Sequence, residues 1–127
     1  MTLEHIALYV DDLEAARQFF MTYFGAKSND GYHNPRTGLR TYFLTFEGGS
    51  RLEIMNKPDL PDAGDKSFRA GYVHIAFKLE SRAAVDALTA RMSNDGYEVL
   101  CGPRVTGDGY YESCVAGFEG NVIEITA

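Results

Sequence analysis

The chain has 127 residues, 45% of them hydrophobic and 24% charged, which suits one domain with its own apolar core and excludes a disordered or fibrous polypeptide. The formal net charge is −6, and the lysines and arginines are scattered, which argues against the clustered cations that neutralise nucleic-acid phosphates. Glu4, Asp11, Asp12 and Glu14 stand where a secretory leader would carry a basic end and an apolar run, and no stretch reaches transmembrane length. The 2 cysteines, Cys101 and Cys114, are far apart and expected to stay reduced. The expectation is a cytoplasmic protein that engages neither membrane nor nucleic acid.

In chain order, residues 4–10 read as a strand. Asp12 then caps a helical run whose apolar positions Leu13, Ala16, Phe20 and Tyr23 recur at helical spacing, with Gly25 as its stop. Strands follow over 40–47 and 51–55, divided by the Gly48-Gly49 turn. Residues 57–70, with Pro58, Pro61, Gly64 and several charges, read as a linker between a first module over about 1–56 and a second over about 71–127, in a single domain spanning 1–127. In the second module a strand at 73–79 precedes a helix capped by Ser81, carrying Val85, Leu88 and Met92 and closing near Asn94 and Gly96. Further strands are expected at 110–116 and 121–126, on either side of Glu119-Gly120-Asn121.

The two modules echo one another. Glu4-His5-Ile6-Ala7-Leu8 corresponds to Val73-His74-Ile75-Ala76-Phe77, and Arg51-Leu52-Glu53-Ile54 to Val122-Ile123-Glu124-Ile125, in the same order and at nearly the same offset. Each half is therefore a strand, a helix and about three strands.

Side-chain alternation along strands places four residues apart from the apolar layer. Ile6, Leu8 and Val10 share one face, which leaves His5 and Ala7 on the other. Leu52 and Ile54 flank Glu53, His74 stands against Val73, Ile75 and Phe77, and Ile123 and Ile125 flank Glu124. Taken singly, each is better read as a hydrogen-bonded histidine or a solvated glutamate. One histidine and one glutamate from each half in matching places instead make a nitrogen and oxygen ligand set for one divalent metal ion. Nickel or zinc heads the candidates, with cobalt, manganese and iron also suited. His33, in the turn-like Gly31-Tyr32-His33-Asn34-Pro35, has no counterpart and reads as a loop residue. Of the aromatic residues Tyr42, Phe43, Phe68, Tyr110 and Tyr111, most are expected to pack on the core or the sheets.

With these residues in view, the sequence resembles the glyoxalase, bleomycin-resistance and extradiol-dioxygenase group, the vicinal oxygen chelate superfamily, and within it small bacterial glyoxalase I, the lactoylglutathione lyase type. The likeness covers almost the whole chain. It runs through His5-Ile6-Ala7, Val10-Asp11-Asp12-Leu13, Phe19-Phe20 and Tyr23-Phe24-Gly25, then Gly71-Tyr72-Val73-His74-Ile75-Ala76-Phe77, Gly107-Asp108-Gly109-Tyr110-Tyr111-Glu112-Ser113 and Glu119-Gly120-Asn121-Val122-Ile123-Glu124-Ile125. The resemblance implies an α+β fold of two tandem βαβββ modules forming an incomplete β-barrel around a metal cavity, and a homodimer. Relatives with two histidines and one glutamate include the dioxygenases and the fosfomycin-type thiol transferases, so the additional Glu53 points to the isomerase and epimerase branch. Two positions depart from the pattern. Tyr9 stands where bacterial glyoxalase I commonly has an arginine that contacts glutathione, and Gly117-Phe118-Glu119-Gly120 replaces the common Asp-Pro-Asp-Gly turn.

The activity implied is conversion of a 2-oxoaldehyde–thiol hemithioacetal to a 2-hydroxyacyl thioester through a metal-bound enediolate, with glutathione or another low-molecular-weight thiol as cosubstrate. Loss of a proton between two adjacent oxygens is unfavourable unless a metal holds both oxygens, and a neighbouring carboxylate can shuttle that proton. The resemblance gives that task to Glu124 first and to Glu53 as ligand and second base. The rival readings are a methylmalonyl-thioester-type epimerase and a metal-free, ligand-sequestering protein of the bleomycin-resistance kind.

Overall fold

A computed structural model of the protein describes residues 4–61, 72–107 and 109–127. The chain divides into two compact units, Met1–Asp62 and Ala63–Ala127. Most of the expected 57–70 linker, together with Phe68 and Asp108, lies outside the described residues.

The first unit opens with β1 (His5–Tyr9) and α1 (Leu13–Phe24). The Asp12 carboxylate accepts the Ala15 N–H at 3.0 Å, which satisfies one of the amides that a helix start leaves without a partner. Gly25 closes the helix at φ 62, a left-handed conformation open to glycine at little cost. The expected apolar stripe is buried at Leu13, Ala16 and Phe20, and Phe19 joins it. Four strands then follow: β2 (Lys27–Ser28), β3 (Tyr32–His33), β4 (Arg40–Thr45) and β5 (Arg51–Asn56). They form one sheet in the order β1-β5-β4-β2, with β3 also paired to β4.

Here the structure departs from the sequence reading. His33 belongs to a short strand, not a loop, and the edge of this sheet is made of two short strands where the sequence pattern predicts about one. The break between them comes from Asn29, whose side-chain oxygen accepts the Gly31 N–H at 3.2 Å and the Phe43 N–H at 3.0 Å. A side chain that takes over backbone partners in this way interrupts regular pairing. β4 also ends at Thr45, two residues before the expected limit, because the chain turns through a Gly49 N–H bond to the Phe46 carbonyl.

The second unit repeats the plan with β6 (His74–Lys78), α2 (Arg82–Asn94), β7 (Val99–Val105), β8 (Tyr111–Ala116) and β9 (Val122–Thr126), a short 3-10 turn at Phe118–Gly120 preceding the last strand. The order is β6-β9-β8-β7. Ser81 caps α2 by accepting the Ala84 N–H at 3.2 Å. In both units the opening strand runs parallel to the last and the remaining pairs are antiparallel. Parallel neighbours need a long crossover, and the helix supplies it. Neither sheet closes on itself, so the α+β architecture is two βαβββ-like modules and not a closed barrel.

One face of each sheet packs on its helix. In the first unit Leu44, Leu52 and Ile54 are buried with Phe20, and in the second Val85, Met92, Val115, Ile123 and Ile125 are fully enclosed. On the helix-facing side that Ile6 and Leu8 share, exposure falls from 36% at Ile6 to 1% at Val10, the residue that follows β1. A polar pair sits inside the second layer, where Thr89 donates to the Val85 carbonyl at 2.7 Å and its hydroxyl meets that of Ser113 at 2.6 Å. Each hydroxyl thereby has a partner where an unmet one would be costly. Among the described residues no helix is long and apolar enough to cross a membrane.

Candidate functional site

The face of each sheet turned away from its helix carries the residues singled out from the sequence. In the first unit Ala7 pairs with Glu53 across the parallel β1–β5 ladder. His5 is two residues earlier on the same face, and its Nε2 lies 3.9 Å from the Glu53 Oε2. In the second unit Ala76 pairs with Glu124, and the His74 Nε2 lies 3.4 Å from the Glu124 Oε2. Even the exposures match: 38% for each histidine side chain and 18% for each glutamate. A one-residue slip in either ladder would send histidine and glutamate to opposite faces, so the shared register is what brings each pair together.

Two donors bound to one ion at about 2.1 Å are roughly 3.0–3.5 Å apart for bond angles between square and tetrahedral. The second pair already has that spacing, and the first reaches it with a small side-chain rotation. Imidazole nitrogen with carboxylate oxygen is also the donor chemistry that suits divalent zinc, nickel, cobalt, manganese or iron. Each unit's pair therefore fits a divalent ion.

The surroundings of the two pairs differ. The His5 Nδ1 is hydrogen-bonded to the Glu4 carboxylate, which also takes an ion pair from Arg51. That bond to His5, helped by Arg51 and opposed by partial desolvation, holds the Glu4 carboxyl below the usual carboxylate range. With Nδ1 engaged, Nε2 is the nitrogen presented toward Glu53, the arrangement by which an outer carboxylate orients a ligating histidine. Phe43, paired with Glu53, meets the His5 ring edge-on at 5.4 Å, and the Arg51 guanidinium lies 4.2 Å over it. The corresponding partner of Glu124 is Cys114. Burial, the neighbouring Cys101 thiol and the negative charges of Glu112 and Glu124 push the Cys114 thiol up to about 12.

Sequence reasoning missed several features of these faces. Glu4 had no counterpart to flag it. The cysteines read only as reduced thiols, yet Cys101 and Cys114 are cross-strand partners. They gather with Glu112 so that one ligand atom from each lies within 4.8 Å of the others. Glu112 and Cys114 share the alternation that identified Glu124, but no spacing signal joins Cys101 to them. The aromatic expectation holds in part. The Tyr42 phenol donates to Glu14 on α1 at 2.6 Å, and the Tyr111 phenol to Asp86 on α2 at 2.6 Å. Both tyrosines thus serve helix–sheet packing, whereas Phe43 flanks His5. His33 lines a separate open cleft of the first unit with Asp30, Tyr32, Arg40 and Tyr42.

Comparison with known proteins places these modules. Residues 2–125 match the model of the Glyoxalase/Bleomycin resistance protein/Dioxygenase superfamily. The chain is similar to YqjT of Bacillus subtilis, with 31% identity over 117 residues, 86% of this chain and 85% of that protein. A glyoxalase family protein of Enterococcus faecalis shares the fold at a TM-score of 0.80 and 21% identity, covering 99% of this chain and 97% of that one. The fosfomycin resistance protein FosX of Listeria monocytogenes, in a mutant form complexed with Mn(II) and 1S,2S-dihydroxypropylphosphonic acid, superposes with a TM-score of 0.73 at 26% identity over 99% of this chain and 91% of that chain. This chain belongs to the Glyoxalase/Bleomycin resistance protein/Dioxygenase superfamily.

Proposed function

We propose that the protein is a metal-dependent lyase or isomerase of the glyoxalase I type, with His5, Glu53, His74 and Glu124 holding one divalent ion, nickel or zinc, and that it works as a homodimer. The observation that carries this reading is the repeated pair: a histidine and a glutamate on adjacent parallel strands, in identical register, in both units. The bound ion would supply charge stabilisation to two neighbouring substrate oxygens. Glu124 removes the proton from the carbon that bears the sulfur and returns it to the neighbouring carbon, while the hydroxyl proton passes from the first oxygen to the second, which together turn a hemithioacetal into a 2-hydroxyacyl thioester. Glu53 ligates and stands as second base. Glu4 fixes the His5 ring, and Phe43 and Arg51 restrict its movement. Tyr9 in place of arginine leaves the thiol open between glutathione and another small thiol.

Mixing metal-loaded protein with methylglyoxal and a panel of cellular thiols tests the reading, with thioester formation as the expected result. Turnover of a methylmalonyl thioester alone would replace it with the epimerase. The similarity to FosX favours a second reading. The diol phosphonate in that complex is what addition of water to an epoxide phosphonate leaves, so fosfomycin with Mn(II) belongs in the same assay, and exclusive consumption of it would overturn the isomerase.

The ligand assignment also sets expectations for binding. His74→Ala is expected to weaken metal binding by roughly 100-fold or more, since even loss of an outer partner costs 10–100-fold. Titration followed by calorimetry and metal analysis checks this, and unaltered affinity removes His74 from the set. Glu4→Gln keeps a hydrogen-bonding group beside His5 but removes its charge, so it should weaken the metal by roughly tenfold with the fold unchanged by circular dichroism. A Glu4→Gln protein with wild-type affinity would make that contact incidental.

A further inference from the structure

We propose that Cys101, Glu112 and Cys114 form a second binding site, beside Glu124 but with its own ligands, for a thiophilic divalent cation such as zinc or cadmium on the β7–β8 ladder of the second unit. The proposal does not depend on the isomerase reading, because none of its three ligands belongs to the histidine and glutamate set.

The site is built by the strand pairing. Cys101 and Cys114 are opposite one another in the antiparallel ladder, and Glu112, two residues before Cys114, shares its face. All three are partly buried. The ladder shifts register on both sides of Cys101, the kind of irregularity that re-aims a side chain. Gly102 makes the close approach feasible. It sits at φ +80, and a Cβ there would fall 2.4 Å from the Glu112 carbonyl oxygen and 2.9 Å from the Ser113 Cα. Any other residue would push β7 away from the strand that carries the other two ligands.

The dimensions fit a tetrahedral ion. Thiolates bound at about 2.3 Å and a carboxylate at about 2.1 Å have donors roughly 3.5–3.8 Å apart, and the three ligand atoms already lie within 4.8 Å of one another. Arg104 engages the Glu112 Oε1 at 3.5 Å from an exposed position, and a carboxylate has a second oxygen for the ion. Two soft sulfurs with one oxygen favour zinc or cadmium over magnesium, calcium or manganese, and the fourth position is left to water. Binding displaces the two thiol protons: two neutral thiols and one divalent cation become a bis-thiolate complex and two released protons.

Cadmium titration of the reduced full chain, followed by ultraviolet thiolate-to-metal charge transfer, native mass spectrometry and proton release, tests the site. The protein has 2 cysteines, so any such absorption reports this pair. Expected are a charge-transfer absorption that saturates at one thiolate-bound ion per chain, counted apart from any ion on the histidine and glutamate set, close to two protons released per thiolate-bound ion, and binding at this site weaker by roughly 100-fold in Cys101→Ser/Cys114→Ser, with Glu112→Gln weaker by roughly tenfold. His5→Ala/Glu53→Gln should leave the absorption intact. Cys101→Ser alone serves if the double variant loses its circular dichroism. No charge-transfer absorption once cadmium exceeds about two equivalents per chain, enough to fill the histidine and glutamate set as well, or one thiolate-bound ion shared between two chains, overturns the proposal.

Discussion

Glu124→Gln is expected to lower turnover by roughly 10²–10⁴-fold, the usual contribution of a positioned general base, while a metal-loaded protein is still obtained at excess ion. The substitution separates two properties of one side chain. An amide oxygen can still donate a lone pair to a cation, but it cannot accept a proton from carbon at neutral pH. Its geometry is held independently of that charge: β9 is locked between β6 and β8, and Ile123 and Ile125 on either side are fully buried. The amide should therefore occupy the carboxylate's place. Turnover at saturating metal, read beside metal content per chain, makes the measurement. Near-normal turnover in a metal-loaded Glu124→Gln protein would move the base to Glu53, which has the same exposure and the same strand context in the first unit. Loss of activity together with loss of metal at every concentration would assign Glu124 to ligation alone.

The largest effect on stability is expected at Phe20. It is 1% exposed and packs against Phe19 at 5.2 Å and Phe24 at 6.1 Å between ring centroids, on the helix that covers the sheet face of Leu44, Leu52 and Ile54. Phe20→Ala removes a ring from a close-packed layer that cannot collapse to fill the space, a change that costs about 3–5 kcal/mol. Against a typical total of about 5–15 kcal/mol, that is enough to leave a large unfolded fraction under mild denaturant. Urea unfolding followed by circular dichroism gives the value, with Ile6→Ala as the comparison because Ile6 is 36% exposed. A loss below about 1 kcal/mol at Phe20 would mean that the helix is not anchored by this ring.

The amino-acid sequence by itself determined the duplication, both capped helices, the positions of the main strands, and the separation of His5, Glu53, His74 and Glu124 from the apolar layer. These features are written in short-range chemistry. A cap is one side chain and an amide three residues on, and alternation is legible within a single strand. What only the tertiary structure decided is which strands are neighbours and in what register. The parallel pairing of β1 with β5 and β6 with β9 joins residues more than 40 positions apart, and local pattern does not encode partners at that distance. The same limit hid the meeting of Cys101 with Glu112 and Cys114 across the β7–β8 ladder, whereas the Glu4 contact with His5 joins sequence neighbours and depends on side-chain rotamers that alternation does not specify. The limit of local pattern also hid the split of β2 from β3, which depends on Asn29 reaching the backbone of Phe43 on another strand. Side-chain direction is fixed by the strand's own two-residue period, whereas the company a side chain keeps is fixed by hydrogen-bonded ladders that form only when the whole sheet does.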